Sequence, residues 1–149
     1  MTKSCAFTGH RDLVNLDVNL LDSVVKNLII SGCKRFLCGM AVGFDLAAAE
    51  SVIALKKKHP EIELVACVPC EGQSLFYSHT DKKRYERILK NCSEISVLSE
   101  NYYEGCMLAR DRYMVDNCDV VVCYLRKKSG GTFYTVNYAK SRGKKIIEL

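Results

Sequence analysis

The run Val120-Val-Val-Cys-Tyr-Leu125 is apolar at every position. A strand with one wet face alternates polar and apolar residues, so an unbroken run fits a strand covered on both faces. Five further short runs rich in β-branched or apolar residues lie at Ser4–Thr8, Arg35–Cys38, Ile62–Val68, Ile95–Leu98 and Lys145–Leu149. Segments with helical spacing separate them. Val18, Leu21, Val25, Leu28 and Ile29 share one face, and Gly32 is placed to end that helix. Leu46, Ala49 and Ile53 define a second helix, which closes before Pro60. Tyr85, Ile88, Leu89 and Cys92 define a third, with Lys82, Lys83, Arg84, Arg87 and Lys90 as its solvated remainder. A fourth carries Met107, Met114, Val115 and Cys118, and a fifth runs from about Thr132 to Arg142, with Gly143 as its stop.

Strands alternating with helices of this length predict an α/β chain: a doubly wound, mostly parallel sheet of about six strands with helices on both faces. No repeat or linker interrupts the pattern, so residues 1–149 are expected to form a single domain. The chain is 48% hydrophobic and 26% charged, values that exclude disordered and collagen-like classes. It has no stretch near the roughly 18 apolar residues of a membrane span. The opening residues lack the apolar core of a secretory signal, so a cytoplasmic location with nine reduced thiols is expected. A net charge of +5 suits an anionic ligand without demanding nucleic acid.

In such sheets ligands sit beyond the carboxyl ends of the strands, where helix N-termini present free N–H groups. The turns after the strands are therefore the places to search. After the first comes Thr8-Gly9-His10-Arg11, where glycine permits a tight turn and Arg11 can reach an anion. An ordinary strand exit with a surface His and Arg reads equally well. After the second comes Gly39-Met40-Ala-Val-Gly43-Phe-Asp45, opening an alanine-rich helix. It matches neither the dinucleotide nor the P-loop pattern, yet its glycines let backbone amides approach a phosphate. Asp45 either complements the helix dipole or accepts hydrogen bonds from ribose hydroxyls.

After the fifth strand, Arg126-Lys-Lys-Ser-Gly130-Gly131-Thr132 leads into a helix and suits a phosphate, or is a flexible basic loop. After the fourth, Tyr102 and Tyr103 stand ready to stack on a ring or to cover the core edge. On the helix that follows, Arg112 and Asp116 have the spacing of a surface pair, and Arg110 is turned so that it can face the cleft. Cys67-Val-Pro-Cys70 has the redox or half-zinc spacing, but His10, His59 and His79 show no ligand spacing with it. Cys5, Cys38, Cys67 and Cys123 fall within strands, where a thiol is a small hydrophobe. No metal and no cofactor is expected, and no catalytic triad can be assembled from spacing.

The chain resembles the YpsA-like proteins, a bacterial branch of the SLOG superfamily of Rossmann-like domains, which also holds DprA and the LOG-type phosphoribohydrolases. The resemblance rests on Thr8-Gly-His-Arg11, on Gly39-Met-Ala-Val-Gly-Phe-Asp45, on Arg110-Asp-Arg-Tyr-Met-Val-Asp-Asn-Cys-Asp119 and on Gly130-Gly-Thr-Phe-Tyr-Thr-Val-Asn-Tyr-Ala139. It implies a pocket for a nucleotide-derived, ADP-ribose-like ligand at Gly9, His10, Arg11, Gly39, Met40, Gly43, Asp45, Arg110, Gly130, Gly131 and Thr132, in a sensing or regulatory role. The LOG-type enzymes carry Gly-Gly-x-Gly-Thr-x-x-Glu, with a catalytic glutamate. Here Thr135 stands in its place and the next carboxylate is Glu148.

The leading expectation is therefore a binder of a nucleotide-derived small molecule. A nucleotide N-glycosidic or phosphate-bond hydrolase is the first alternative, and a single-stranded DNA-binding protein related to DprA is ranked last. No membrane partner is expected. The apolar face of the fourth helix is left open between core and a homo-oligomer interface.

Overall fold

A computed structural model describes residues 3–149 of the chain. In order, the elements are β1 (Lys3–Gly9), α1 (Val18–Ile30), β2 (Cys33–Cys38), α2 (Phe44–Lys56), β3 (Glu63–Val68), α3 (His79–Lys90), β4 (Glu94–Val97), α4 (Cys106–Asp116), β5 (Val120–Tyr124), α5 (Gly130–Ser141) and β6 (Lys145–Glu148). The six strands form one sheet in the order β4-β3-β2-β1-β5-β6, and every pairing is parallel. The sheet is thus wholly parallel, and the fold is α/β and Rossmann-like.

Strand alternation divides the core in two. Cys5, Phe7, Phe36, Cys38, Leu64, Ala66, Val120, Val122 and Tyr124 face the layer that includes Leu21 and Val25 of α1, Leu46 and Val52 of α2, and Tyr85 and Ile88 of α3. Ala6, Leu37, Val65, Cys67, Val121 and Cys123 face the other layer, with Met114 and Val115 of α4 and Val136 and Ala139 of α5. This explains the unbroken apolar run: its alternate residues enter two different cores, and all five residues of β5 are buried.

The helices differ at their starts. Asp17 caps α1 by accepting from the Leu20 amide at 3.0 Å, and Ser78 caps α3 by accepting from the Asp81 amide at 3.2 Å. The residues before α2, α4 and α5, namely Gly43, Gly105 and Ser129, make no side-chain cap. Strand order reverses at β1, which has β2 on one side and β5 on the other. The ends of β1 and β5 therefore flank a crevice of the kind that receives ligands in open parallel sheets.

Candidate functional site

That crevice is a cleft of about 270 Å³. The turn after β1 contributes Gly9, His10 and Arg11. The first turns of the three uncapped helices contribute Asp45, then Met107 and Leu108, then Gly130, Gly131 and Thr132, while Lys127 and Ser129 come from the β5–α5 loop. The first amides of a helix have no intrahelical acceptor, and with no side-chain cap those of α5 are open to a ligand. A Cβ on Gly131 would meet nothing closer than 3.9 Å, and one on Gly130 would meet nothing within 4 Å. Neither Arg11 nor Lys127 is held in an ion pair among the described residues. Helix N-termini and unpaired cations together favour an anion.

Under the cleft lies a buried ionic cluster. Arg110 is only 4% exposed; its Nε donates to Asp111 Oδ1 at 2.7 Å and its Nη1 donates to the Gly39 carbonyl. Burial opposes its charge, but Asp111 and Asp45 outweigh that and hold the guanidinium protonated. The Thr135 hydroxyl stands 2.7 Å from the Gly131 carbonyl and 3.1 Å from Asp111 Oδ2, with one proton for either acceptor. The position that is a glutamate in the LOG-type motif is thus a threonine whose neighbour, Asp111, brings a carboxylate from α4.

Asp45 is 6% exposed and accepts from the Ala41 amide at 3.2 Å through Oδ2. Burial pushes its pKa up to about 7; Arg110 opposes the rise and Asp111 adds to it. This carboxyl therefore keeps its proton to higher pH than an exposed aspartate, and when protonated it can donate to a ligand hydroxyl as well as accept from one. His10 is lowered, first by burial and then by Lys127 and Arg126. Its Nε2 accepts from the Arg126 amide at 2.9 Å, so the neutral ring ties the β1 turn to the β5 loop.

Eight of the eleven residues singled out from the sequence line this cleft: Gly9, His10, Arg11, Asp45, Arg110, Gly130, Gly131 and Thr132. Gly39, Met40 and Gly43 lie behind it. A Cβ on Gly39 would stand 2.8 Å from Cζ of Arg110, and one on Gly43 would stand 2.2 Å from the Arg11 carbonyl. Met40 is wholly buried with φ +65°, a left-handed conformation that is unfavourable for a residue with a side chain. Its carbonyl accepts from the Tyr77 hydroxyl at 2.9 Å, and that of Gly39 accepts from Gln73 Nε2 at 2.9 Å. The α2 amide nearest the turn is also engaged, because Phe44 N–H donates to the His10 carbonyl at 3.1 Å. The glycines of the β2–α2 turn thus admit the chain's own groups. Sequence reading passed over Asp111, whose only signal is its place beside Arg110, whereas Lys127 belongs to the basic run before Gly130 that the sequence marks as suiting a phosphate.

A Rossmann-like sheet whose uncapped helix starts meet at its reversal point defines a class of ligand-binding α/β proteins. The family model YpsA, described as the YspA SLOG family, matches residues 4–146, and the chain belongs to that family. It is 32% identical to the SPbeta prophage-derived protein YoqJ of Bacillus subtilis over 131 residues, 79% of this chain and 77% of the relative. It is 33% identical to a UPF0398 protein of Halalkalibacterium halodurans over 137 residues, 90% of this chain and 72% of the relative. Among solved structures it resembles DNA processing protein A from Helicobacter pylori, a structure reported for its single-stranded DNA binding mode. There the TM-score is 0.75 with 20% identity, over 98% of this chain and 64% of the other. Against DprA of Streptococcus pneumoniae the TM-score is 0.72 with 22% identity, over 99% of this chain and 50% of the other. The chain therefore spans only part of those two proteins, and the likeness is one of fold. Among the described residues no helix is long and apolar enough to cross a membrane.

Proposed function

We propose that this protein binds the phosphorylated ribose of a nucleotide-derived ligand, such as ADP-ribose, in the cleft between the ends of β1 and β5, in a sensing or regulatory role in the cytoplasm. The observation that carries this reading is the uncapped first turn of α5 facing unpaired Arg11 and Lys127 across a cleft whose wall includes Asp45. Amides and cations suit a phosphate. A buried carboxyl suits hydroxyls and repels phosphate when ionised, so it fits the sugar next to it. Nine free cysteines, eight of them buried, accord with a reducing compartment.

Calorimetry of the full chain against ADP-ribose, NAD, ATP and cyclic nucleotides tests the reading. Saturable binding of at least one, weakened roughly tenfold or more in Arg11→Ala, is the expected outcome. No binding to any of them by folded protein overturns it.

A second reading, hydrolysis of an N-glycosidic or phosphate bond, is favoured by Asp45 alone, since a carboxyl that keeps its proton near neutral pH suits a general acid. Chromatography of ADP-ribose and nucleoside monophosphates after incubation decides it, and absence of product removes it. Single-stranded DNA, ranked last from the sequence, regains weight because a protein of like fold binds it. A single-stranded oligonucleotide therefore joins the calorimetric series.

A further inference from the structure

The cleft does not end at Arg11. Gly9, Arg11, Ala41 and Met107 also wall a second hollow of about 500 Å³, which adds Val42, Gln73, Phe76 and Tyr77. Gln73, Phe76 and Met107 in turn wall a third of about 430 Å³, completed by the 70–72 turn, Leu75 and Tyr102. Adjoining hollows thus form a trough that leads from the α5 amides to an apolar end that no element among the described residues covers. Phe76 there is 94% exposed, Tyr102 67% and Leu75 62%. An aromatic ring so fully in water calls for an explanation.

The segment that presents Phe76 is pinned on both sides. Gln73 Nε2 donates to the Gly39 carbonyl at 2.9 Å while its Oε1 accepts from the Tyr85 hydroxyl at 3.0 Å. The Tyr77 hydroxyl donates to the Met40 carbonyl at 2.9 Å, and the Glu71 amide donates to the Ser99 carbonyl at 3.1 Å. Gln73 and Tyr77 point into the protein while Phe76, between them, points out. The bonded neighbours fix where the backbone presents Phe76, and its open face is free to stack on a flat group.

We infer that the Phe76–Tyr102 end of the trough receives the nucleobase of the ligand whose phosphate the α5 turn holds. The inference rests on the phosphate reading above, and it adds the place of the base, at the far end of the trough from the α5 amides, so that a base-bearing phosphate ester is held better than a bare sugar phosphate. The occupant follows from continuity, because a molecule lying in this trough meets amides and cations at one end and aromatic faces at the other. A nucleotide has that sequence of groups. Base-on-aromatic stacking tolerates any base, so the shelf sets the ligand class without setting the base.

Titration of AMP and of ribose 5-phosphate into the wild-type chain, Phe76→Ala and Tyr102→Ala tests this. Both side chains are exposed, so the variants keep the fold, and thermal melting checks it. The wild type should bind AMP about tenfold tighter than ribose 5-phosphate. Phe76→Ala should abolish most of that difference while leaving ribose 5-phosphate unchanged, with a smaller effect for Tyr102→Ala. Equal affinities in the wild type, or a preference that survives Phe76→Ala, overturn the shelf and leave the phosphate reading standing. Failure of both ligands to bind overturns the shelf, and the phosphate reading is then decided by the ADP-ribose, NAD, ATP and cyclic-nucleotide titrations. A Phe76-dependent affinity for oligo-dT far above that for AMP assigns the shelf to a nucleic-acid strand and overturns the mononucleotide.

Discussion

Arg110 and Gly39, 71 residues apart, are locked together: the guanidinium donates to the glycine carbonyl and occupies the place of the missing side chain. This bond joins the β2–α2 turn to α4 beneath the cleft. It also leaves Arg110 facing Asp111 in a setting that water barely reaches, with Asp45 as a second carboxyl acting on it.

Removing the cation strands those carboxyls. Arg110→Met is expected to destabilise the fold by about 3–5 kcal/mol, the usual cost of breaking one partner out of a buried ionic cluster. Adding Asp111→Asn to it should recover part of the loss, which urea unfolding of the single and double variants would measure. Additive losses would show that the two side chains do not act as a pair.

Two glycines of the cleft differ in what surrounds them. A Cβ at Gly9 would stand 2.3 Å from Cγ of the Phe44 ring, which stacks on Tyr124, whereas one at Gly131 has room. Gly9→Ala should therefore cost about 1–3 kcal/mol of stability through overpacking. Gly131→Ala should melt like the wild type but weaken binding of the phosphate-bearing ligand by crowding the approach to the α5 amides. Unfolding and calorimetry of both variants separate the structural glycine from the binding one.

Asp45 should leave a mark on the pH dependence of stability. The folded chain holds this proton to about pH 7, while the unfolded chain releases it near the ordinary carboxylate value of 3.8. Between those limits the folded state binds more protons, so the contribution of Asp45 to stability falls as pH rises through the window. Asp45→Asn keeps an acceptor for the Ala41 amide and removes the titration. Its melting temperature should fall less than that of the wild type between pH 5 and pH 8, with ligand affinity reduced. Parallel melting curves across that range would contradict the assignment.

How much of this was legible in the sequence depends on the range of the interaction. The run through β5 and the helical spacings report local burial, and they placed all six strands and five helices in order. Side-chain partners need the folded neighbours. Arg112 and Asp116 have the spacing of a helix pair, yet Arg112 Nη1 donates to the Tyr134 hydroxyl at 3.1 Å, and Asp116 Oδ1 accepts from the Tyr138 hydroxyl at 2.8 Å. A surface pair is worth only a few tenths of a kcal/mol, so tyrosines brought alongside by α5 supplant it. Glu50 of α2 likewise lies 2.6 Å from Arg84 and 3.0 Å from Arg87 of α3, pairs between two helices that spacing within one helix does not reveal. Gly39 shows the limit most clearly. Its glycine looked like a phosphate cradle because nothing local reveals that an arginine on α4 fills the space. Phe76 left no signal, since a phenylalanine in a turn reads as core until its exposure is seen.

The two unpaired cations of the cleft should govern both affinity and its sensitivity to salt. Arg11 is exposed on the β1 turn and Lys127 is exposed on the β5 loop, so neither supports the core. Arg11→Gln and Lys127→Gln should each leave the melting temperature within about 1–2 degrees of the wild type, as surface substitutions of this kind do. A charge-assisted hydrogen bond to phosphate contributes about 1.5–3 kcal/mol, so Arg11→Gln, which removes that charge, should weaken binding roughly tenfold or more. Salt screens exposed charges over about 8 Å at physiological ionic strength, and wild-type affinity should therefore fall between about 50 mM and about 500 mM salt. The double variant should show a shallower fall. An affinity that is equal in wild type and double variant at both concentrations would remove Arg11 and Lys127 from the site and move the anion elsewhere on the sheet edge.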